Sequence, residues 1–410
     1  MWKEGNNMYS FNENISKDEY DNFVKKTSMV PFCQNYNWSN IKVGWDSFHC
    51  GLYKEKKLIG VCLILVKNIF GIIKFFYSPK GYLIDFTNYN DVEAMTKYIK
   101  DLAKKNHAYM VKIGPNFCIS DDSVKGIECE HNFSTDYEIK HNNLLKLGYK
   151  WTGINKEMSK NFQPQYNMFA SMCDINSNIL SVDEVLATYK SKFRYYIGDF
   201  HKKRGVSFEI TDDISKIDTF MDLLSCTEKK QNISLRNKEY FLNIMENYKG
   251  KAYFIFGKID LDKYIKFLND NNSKQEDIDE ALAIKKENGN ELVLSTGLLL
   301  LPENDKGIRV SEYLYAGNSL YLNKLYVSRG LVFELIKFSI EKKCHYCNLG
   351  GVDGNLTDHL SEFKRNFNTR VMVFAGDYNL PTSILYYPIN ILYPHLFKLY
   401  KLSRKLFHKK

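Results

Sequence analysis

The sequence holds no apolar stretch long enough to cross a membrane. Its longest, LIGVCLILV at 58–66, falls well short of the roughly 18 residues a spanning helix needs. The opening residues, MWKEGNNMYSFNENIS, lack the apolar core of a secretory signal. Both absences predict a chain that works in the cytoplasm or peripherally at the inner face of the membrane. The nine cysteines are odd in number, which predicts reduced thiols. Cys344-x-x-Cys347 has no second CxxC or HxxxH beside it, so the four ligands of a structural zinc site are not assembled. Cys344 is expected to end a helix and Cys347 to pack in the strand that follows. No Ser-His-Asp arrangement is visible either.

What is present is an ordinary globular balance. The 410 residues are 44% hydrophobic and 26% charged, enough for a buried core divided over two or three domains. The net charge of +9 favours an anionic partner: nucleic acid, a phosphate ligand or an anionic lipid surface. The same excess also serves solubility alone.

Local patterns predict mixed elements. Ser16-x-x-Glu19 has capping-box spacing before an apolar helix face of Tyr20, Phe23 and Val24. Segments GLY, LIGVCLILV, FGIIKFFYS and YLIDF between 49 and 86 predict strands. A helix is expected at 92–105, a strand at 108–115 and a further helix from 141 to 148. Ser181-x-x-Glu184 opens a second capping box. The helix behind it carries Lys190, Lys192, Arg194, Lys202, Lys203 and Arg204, either a surface for nucleic-acid phosphates or a solvated face. Residues 261–287 predict two short helices around NNSKQ. The tail at 396–410 has no acid and spaces leucines between lysines. It fits an amphipathic helix on a membrane surface, or a terminal helix packed on the first domain.

The most informative stretch runs from 312 to 367. EYLYAGN reads as a strand. Val332, Leu335, Ile336 and Ile340 give one apolar helix face. CHYCNLGGVDG reads as a short strand ending in paired glycines, and SEFKRNF follows. The order is that of a β-α-β unit with a site at its strand ends, where glycines allow close backbone approach.

The wording YAGN, NLGGVDG, EFKRNF and VFAGDYNLP resembles the Fem family of peptidoglycan-bridge aminoacyltransferases. Upstream, PFCQNYNWSNIK, YSPKGYLIDF, TEKKQNISLRNKEYF and ENGNELVLSTG extend the resemblance over nearly the whole chain. It implies an α/β (α+β) architecture: two GNAT-like acyltransferase domains in tandem. The first would comprise 1–163 plus 377–410, and the second 164–376 with a short helical arm at about 261–287. The implied reaction moves Gly, Ala or Ser from aminoacyl-tRNA, as co-substrate and without a cofactor, to the stem-peptide amine of a lipid- or nucleotide-linked muropeptide. Lys364, beside Phe363, matches the family's Phe-Lys pair, and its implied role is contact with the oxyanion or the tRNA 3′ end. Lys42, Arg236, Tyr240 and Tyr315 match acceptor-binding positions, with the cations suited to a diphosphate. Gly114-Pro115 stands where many relatives have Asp-Pro, so no base carries over at that point. Two other classes compete: a GNAT N-acyltransferase using acyl-CoA, and a non-catalytic tRNA- or membrane-binding protein. Gly-x-Gly, part of the usual pyrophosphate loop of the former, occurs nowhere in the chain.

Overall fold

The computed structural model describes residues 8–69, 71, 73–119, 136–160, 162–231 and 233–392. The basic tail at 396–410 lies outside them. The chain opens with β1 (Tyr9–Asn12), α1 (Lys17–Lys26) and the single turn α2 (Trp38–Ile41). Then come β2 (Asp46–Lys54), β3 (Lys57–Ile69), β4 (Ile73–Ser78), α3 (Tyr89–Lys105), β5 (Ala108–Ile113), α4 (Tyr137–Lys146) and β6 (Lys150–Trp151). The second half begins with β7 (Tyr166–Ser171), α5 (Val182–Ala187), α6 (Ser191–Ile197), α7 (Asp199–Lys203) and β8 (Val206–Thr211). It continues with α8 (Ile217–Gln231), α9 (Lys238–Asn247), β9 (Ala252–Asp260), α10 (Leu261–Asp270), α11 (Gln275–Asn288) and β10 (Glu291–Leu300). It closes with β11 (Val310–Asn318), α12 (Val327–Glu341), β12 (Tyr346–Gly351), α13 (His359–Arg365), β13 (Thr369–Val373) and β14 (Tyr378–Pro381).

Two seven-stranded sheets result. One has the order β1-β2-β3-β4-β5-β14-β6, the other β13-β7-β12-β11-β10-β9-β8. Each has one parallel pair, β4 with β5 and β11 with β12, and each pair is joined by a long helix, α3 or α12. A parallel pair needs such a crossover because its strands start at the same end of the sheet. Helix α12 buries Leu331, Val332, Leu335 and Ile336 against the second sheet, the face its periodicity predicts. The charged stretch at 261–287 folds as the helical pair α10 and α11.

A shared core locks the two sheets together. Trp38, Ile41, Leu65 and Phe75 of the first half pack with Phe220, Phe241, Phe254 and Leu298 of the second. Polar contacts fix the same seam. Asn37 Nδ2 donates to Asn247 O at 2.7 Å, and Tyr248 Oη donates to Phe32 O at 3.1 Å. Segment 28–42 is thereby held against the second half, which places Lys42 across from α9.

Three local expectations change. Ser16 caps α1 by accepting from Glu19 N, but the Glu19 carboxylate accepts from Tyr53 Oη at 2.7 Å, so the capping box is half formed. At Ser181 both halves of the box are present. The basic helix behind it is three helices, α5 to α7. Lys190 turns extended ahead of α6, and Gly198 leaves helical geometry between α6 and α7, so Phe193, Ile197 and Phe200 can all turn inward. Finally, 82–86 forms no strand and pairs only through the bridge from Leu83 to Val61.

Candidate functional site

A cavity of about 370 Å³ opens along the seam between the sheets. From the first half, Cys33, Trp38, Lys42 and Lys80 face it. From the second come Arg236, Tyr240, the stretch Glu312 to Tyr315, Asn348, Gly350 and Gly351. Lys42, Arg236, Tyr240 and Tyr315, far apart in sequence, thus share one space.

Their contacts order that space. Lys42 is the C-cap of α2, and its Nζ lies 4.7 Å from the centre of the Trp38 ring. Burial, and then the Arg236 guanidinium, hold its pKa below the usual lysine value. Two cations that oppose each other in one cavity leave room for an anion between them. Arg236 and Tyr240 do not share a helix face as their spacing predicts. Asn237 caps α9 by accepting from Tyr240 N, so Arg236 precedes the helix. Its guanidinium instead sits 5.4 Å from the Tyr240 ring centre. Tyr315 Oη donates to Tyr240 Oη at 3.4 Å, a long bond that joins β11 to α9.

Lys364 lies one layer back, 5% exposed on α13. Its Nζ donates to Gly350 O at 3.0 Å and Gly351 O at 2.9 Å. Burial lowers its pKa to about 7. Lysine carries three N–H donors when charged, so one remains beyond these two carbonyls. Phe363 points elsewhere. It packs among the hydrophobic residues under α12, with its ring 5.6 Å from that of Phe367, and does not line the cavity.

Glycines in this region have different reasons. Gly350 has φ +86°, a left-handed conformation that L side chains rarely adopt, and it bulges β12 between its pairings at Asn348 and Gly351. Gly317, in YAGN, is required by packing: an added Cβ would stand 2.6 Å from the Leu223 backbone of α8.

Lys80, Glu312 and Asn348 also face the cavity; they fall within YSPKGYLIDF, EYLYAGN and NLGGVDG, but none of them carried an expected role. Burial pushes the Glu312 carboxyl up to about 8 and the Lys80 amine down to about 8. The one available signal was Glu312 itself, a charge in an otherwise apolar and aromatic strand. Cys344 and Cys347 are free thiols in the core, and burial raises both pKa values. Among the described residues no group of His, Cys, Asp or Glu is placed to hold a metal ion, and no helix is long and apolar enough to cross a membrane.

Two mixed sheets, each built on a β-α-β unit and facing one cavity, define a tandem acyltransferase-type fold of GNAT kind. Solved structures agree. A tandem GNAT protein from the clavulanic acid biosynthesis pathway superposes with a TM-score of 0.51 at 6% identity, covering 92% of this chain and 99% of that one. A FemX crystal structure superposes with a TM-score of 0.72 at 22% identity, covering 90% and 96%. The FemAB family model matches residues 15–283 and 269–393, and the chain belongs to that family. Curated relatives include aminoacyltransferase FemA of Staphylococcus epidermidis, 22% identical over 90% of this chain and 95% of that protein. They also include the lipid II:glycine glycyltransferase of Staphylococcus aureus strain bovine RF122 / ET3-1, 25% identical over 96% and 99%.

Proposed function

We propose that this protein transfers an amino acid from aminoacyl-tRNA to the stem-peptide amine of a lipid-linked peptidoglycan precursor, building the interpeptide bridge. The observation that carries the reading is the convergence of Lys42, Arg236, Tyr240 and Tyr315 on one cavity, in a chain of the FemAB family. Lys42 and Arg236 would hold the acceptor's diphosphate, for which paired cations are the fitting chemistry. A lipid-linked acceptor would bring the enzyme to the inner face of the membrane.

The donor ester is already activated, so the protein's work is to position the two substrates and stabilise the oxyanion. In this reading the free N–H of Lys364 donates to the carbonyl oxygen as it gains charge. Held as the ammonium, Lys364 sets its charge against the oxygen as that oxygen turns negative, which favours the transition state over the ground state.

Incubation with glycyl-, alanyl- or seryl-tRNA and lipid-linked precursor tests this, read by product mass. One aminoacyl increment from one of the three is expected, with none from acetyl-CoA. No increment from any charged tRNA, with acetylation from acetyl-CoA, would sink the reading.

A further inference from the structure

Among the described residues, Glu312 is the one carboxylate that lines the cavity. It sits on the last rung where β11 and β12 still pair, opposite Asn348. Beyond that rung the strands part and the cavity begins. Asn348 Nδ2 donates to Glu312 Oε2 at 2.8 Å, while Asn348 Oδ1 accepts from Gly350 N at 2.9 Å. The second bond fixes which way the amide faces, so the carboxylate is held by a donor that cannot turn away. Glu312 is half-buried and lines the cavity.

Lys80 faces the same cavity, its Nζ 3.1 Å from the centre of the Phe374 ring. Glu312 and Lys80 attract across the space without closing into an ion pair. The Cys33 and Cys347 thiols also adjoin Glu312, and burial keeps both protonated. Lys42 and Arg236 stand elsewhere on the cavity wall. A carboxyl whose pKa an enclosed setting raises, and which turns its free side to a cavity, is the kind of group that clusters at ligand and catalytic sites. The partner that suits such a carboxyl, facing the cavity beside Asn348, is an amine.

We propose that Glu312 is a catalytic residue that binds the acceptor's attacking amine as its ammonium ion and removes the proton. This rests on the transferase reading above. The Glu312 carboxylate takes one proton from the ammonium, leaving a neutral amine and a carboxylic acid. The nitrogen lone pair then forms the C–N bond at the ester carbonyl, and the π pair moves onto oxygen. As the oxyanion collapses, the C–O bond to the ribose breaks and the leaving oxygen takes the second proton from nitrogen. Glu312 returns its proton to water, so the products are amide, free tRNA hydroxyl and one released proton. A base with pKa near the working pH is the efficient choice, and the enclosed setting supplies one. Asn348 is a positioning residue in this scheme, acting through the carboxylate.

The test uses the full chain with charged tRNA and lipid-linked precursor in single turnover across pH 6–10. Glu312→Gln should lower the transfer rate by about 10²–10⁴-fold, the usual contribution of a general base, with little change in precursor KM. Wild type should show a limb that levels off near pH 8, and the variant should lose it, its rate rising only as the amine itself deprotonates. Glu312→Asp should keep a limb. Asn348→Ala covers the case in which Glu312→Gln does not fold. Loss of a hydrogen bond to the charged form should move the wild-type limb to higher pH. A folded Glu312→Gln enzyme with the wild-type rate and limb overturns the proposal, as does an Asn348→Ala limb that does not move. A wild type that transfers nothing from any charged tRNA fails the functional reading instead.

Discussion

The two β-α-β units share a design and end differently. In the first, β4 and β5 stay paired to the last rung, Ser78 with Ile113, and Gly114 N still donates to Ser78 O at 3.3 Å. In the second, β11 and β12 pair over three rungs and separate after Glu312 and Asn348. The cause is local. Asn348 accepts its own chain's Gly350 N–H, an Asx turn, and Gly350 takes a left-handed φ, so β12 turns off its neighbour. At the first unit the strand ends are plugged by a fully buried glutamine. Gln34 Oε1 accepts from Leu63 N at 3.0 Å, and its Nε2 donates to Pro79 O at 2.7 Å. One unit is sealed by a neutral amide. The other is left open and braced from behind by the Lys364 amine. A cavity requires the second arrangement.

This comparison breaks most sharply at Lys364. Lys364→Met should lower turnover by about 10²–10³-fold, the scale of a lost oxyanion donor. Precursor binding should stay near normal. Single-turnover rates at saturating aminoacyl-tRNA check this, and full recovery there would leave Lys364 a tRNA contact only. The matching change in the sealed unit, Gln34→Leu, strands the Leu63 N–H and leaves the Pro79 carbonyl only the weak Cys33 S–H donor. Each buried unsatisfied group costs about 1–3 kcal/mol, so a stability loss of roughly 2–5 kcal/mol is expected in denaturant unfolding. The rate per folded molecule should not change. If both variants lose only stability, or both lose only rate, the two units do not divide labour as described.

Arg236→Ala comes next. It should weaken the precursor by about 1.5–3 kcal/mol, the scale of a charged hydrogen bond, and leave tRNA binding almost unchanged. Calorimetric titration of each substrate separates the two effects. Unaltered precursor affinity in a folded variant would remove the diphosphate assignment.

Much of this was legible in the sequence, and the reasons are physical. The periodicity of Val332, Leu335, Ile336 and Ile340 dictates a helix packed on a sheet, and that helix is α12. The charged stretch after Asp260 reads as two helices because apolar residues recur on one face of each. Spacing could not reveal that Gly198 interrupts the basic helix, since Phe193, Ile197 and Phe200 all turn inward only in the folded context. Nor could it give Arg236 its place, because the Asn237 cap starts the helix at Lys238, two residues past it. Lys80 follows β4 of one sheet and Glu312 sits in β11 of the other, and only the shared core beneath the cavity brings them together. Their roles depend on enclosure, which no local pattern records.

The smallest expected effect tests why the strands part. Gly350 sits at φ +86°, and an added Cβ would meet Lys364 Nζ at 3.7 Å and Tyr313 O at 3.8 Å, both ordinary contacts. Space is therefore not the obstacle to Gly350→Ala. The left-handed backbone is, at a cost of roughly 1–2 kcal/mol for an L residue. Gly114, at the matching end of the sealed unit, has no such φ. Its added Cβ would stand 3.1 Å from Asp377 Oδ1, a contact that a small shift of that carboxylate relieves. Gly114→Ala should then cost less stability than Gly350→Ala in the same unfolding assay. Gly350→Ala should also slow transfer, because the Gly350 carbonyl that Lys364 holds moves with the turn, while Gly114→Ala should leave the rate within about twofold of wild type. Equal losses in both would mean that the turn at Gly350 is not what opens the second unit.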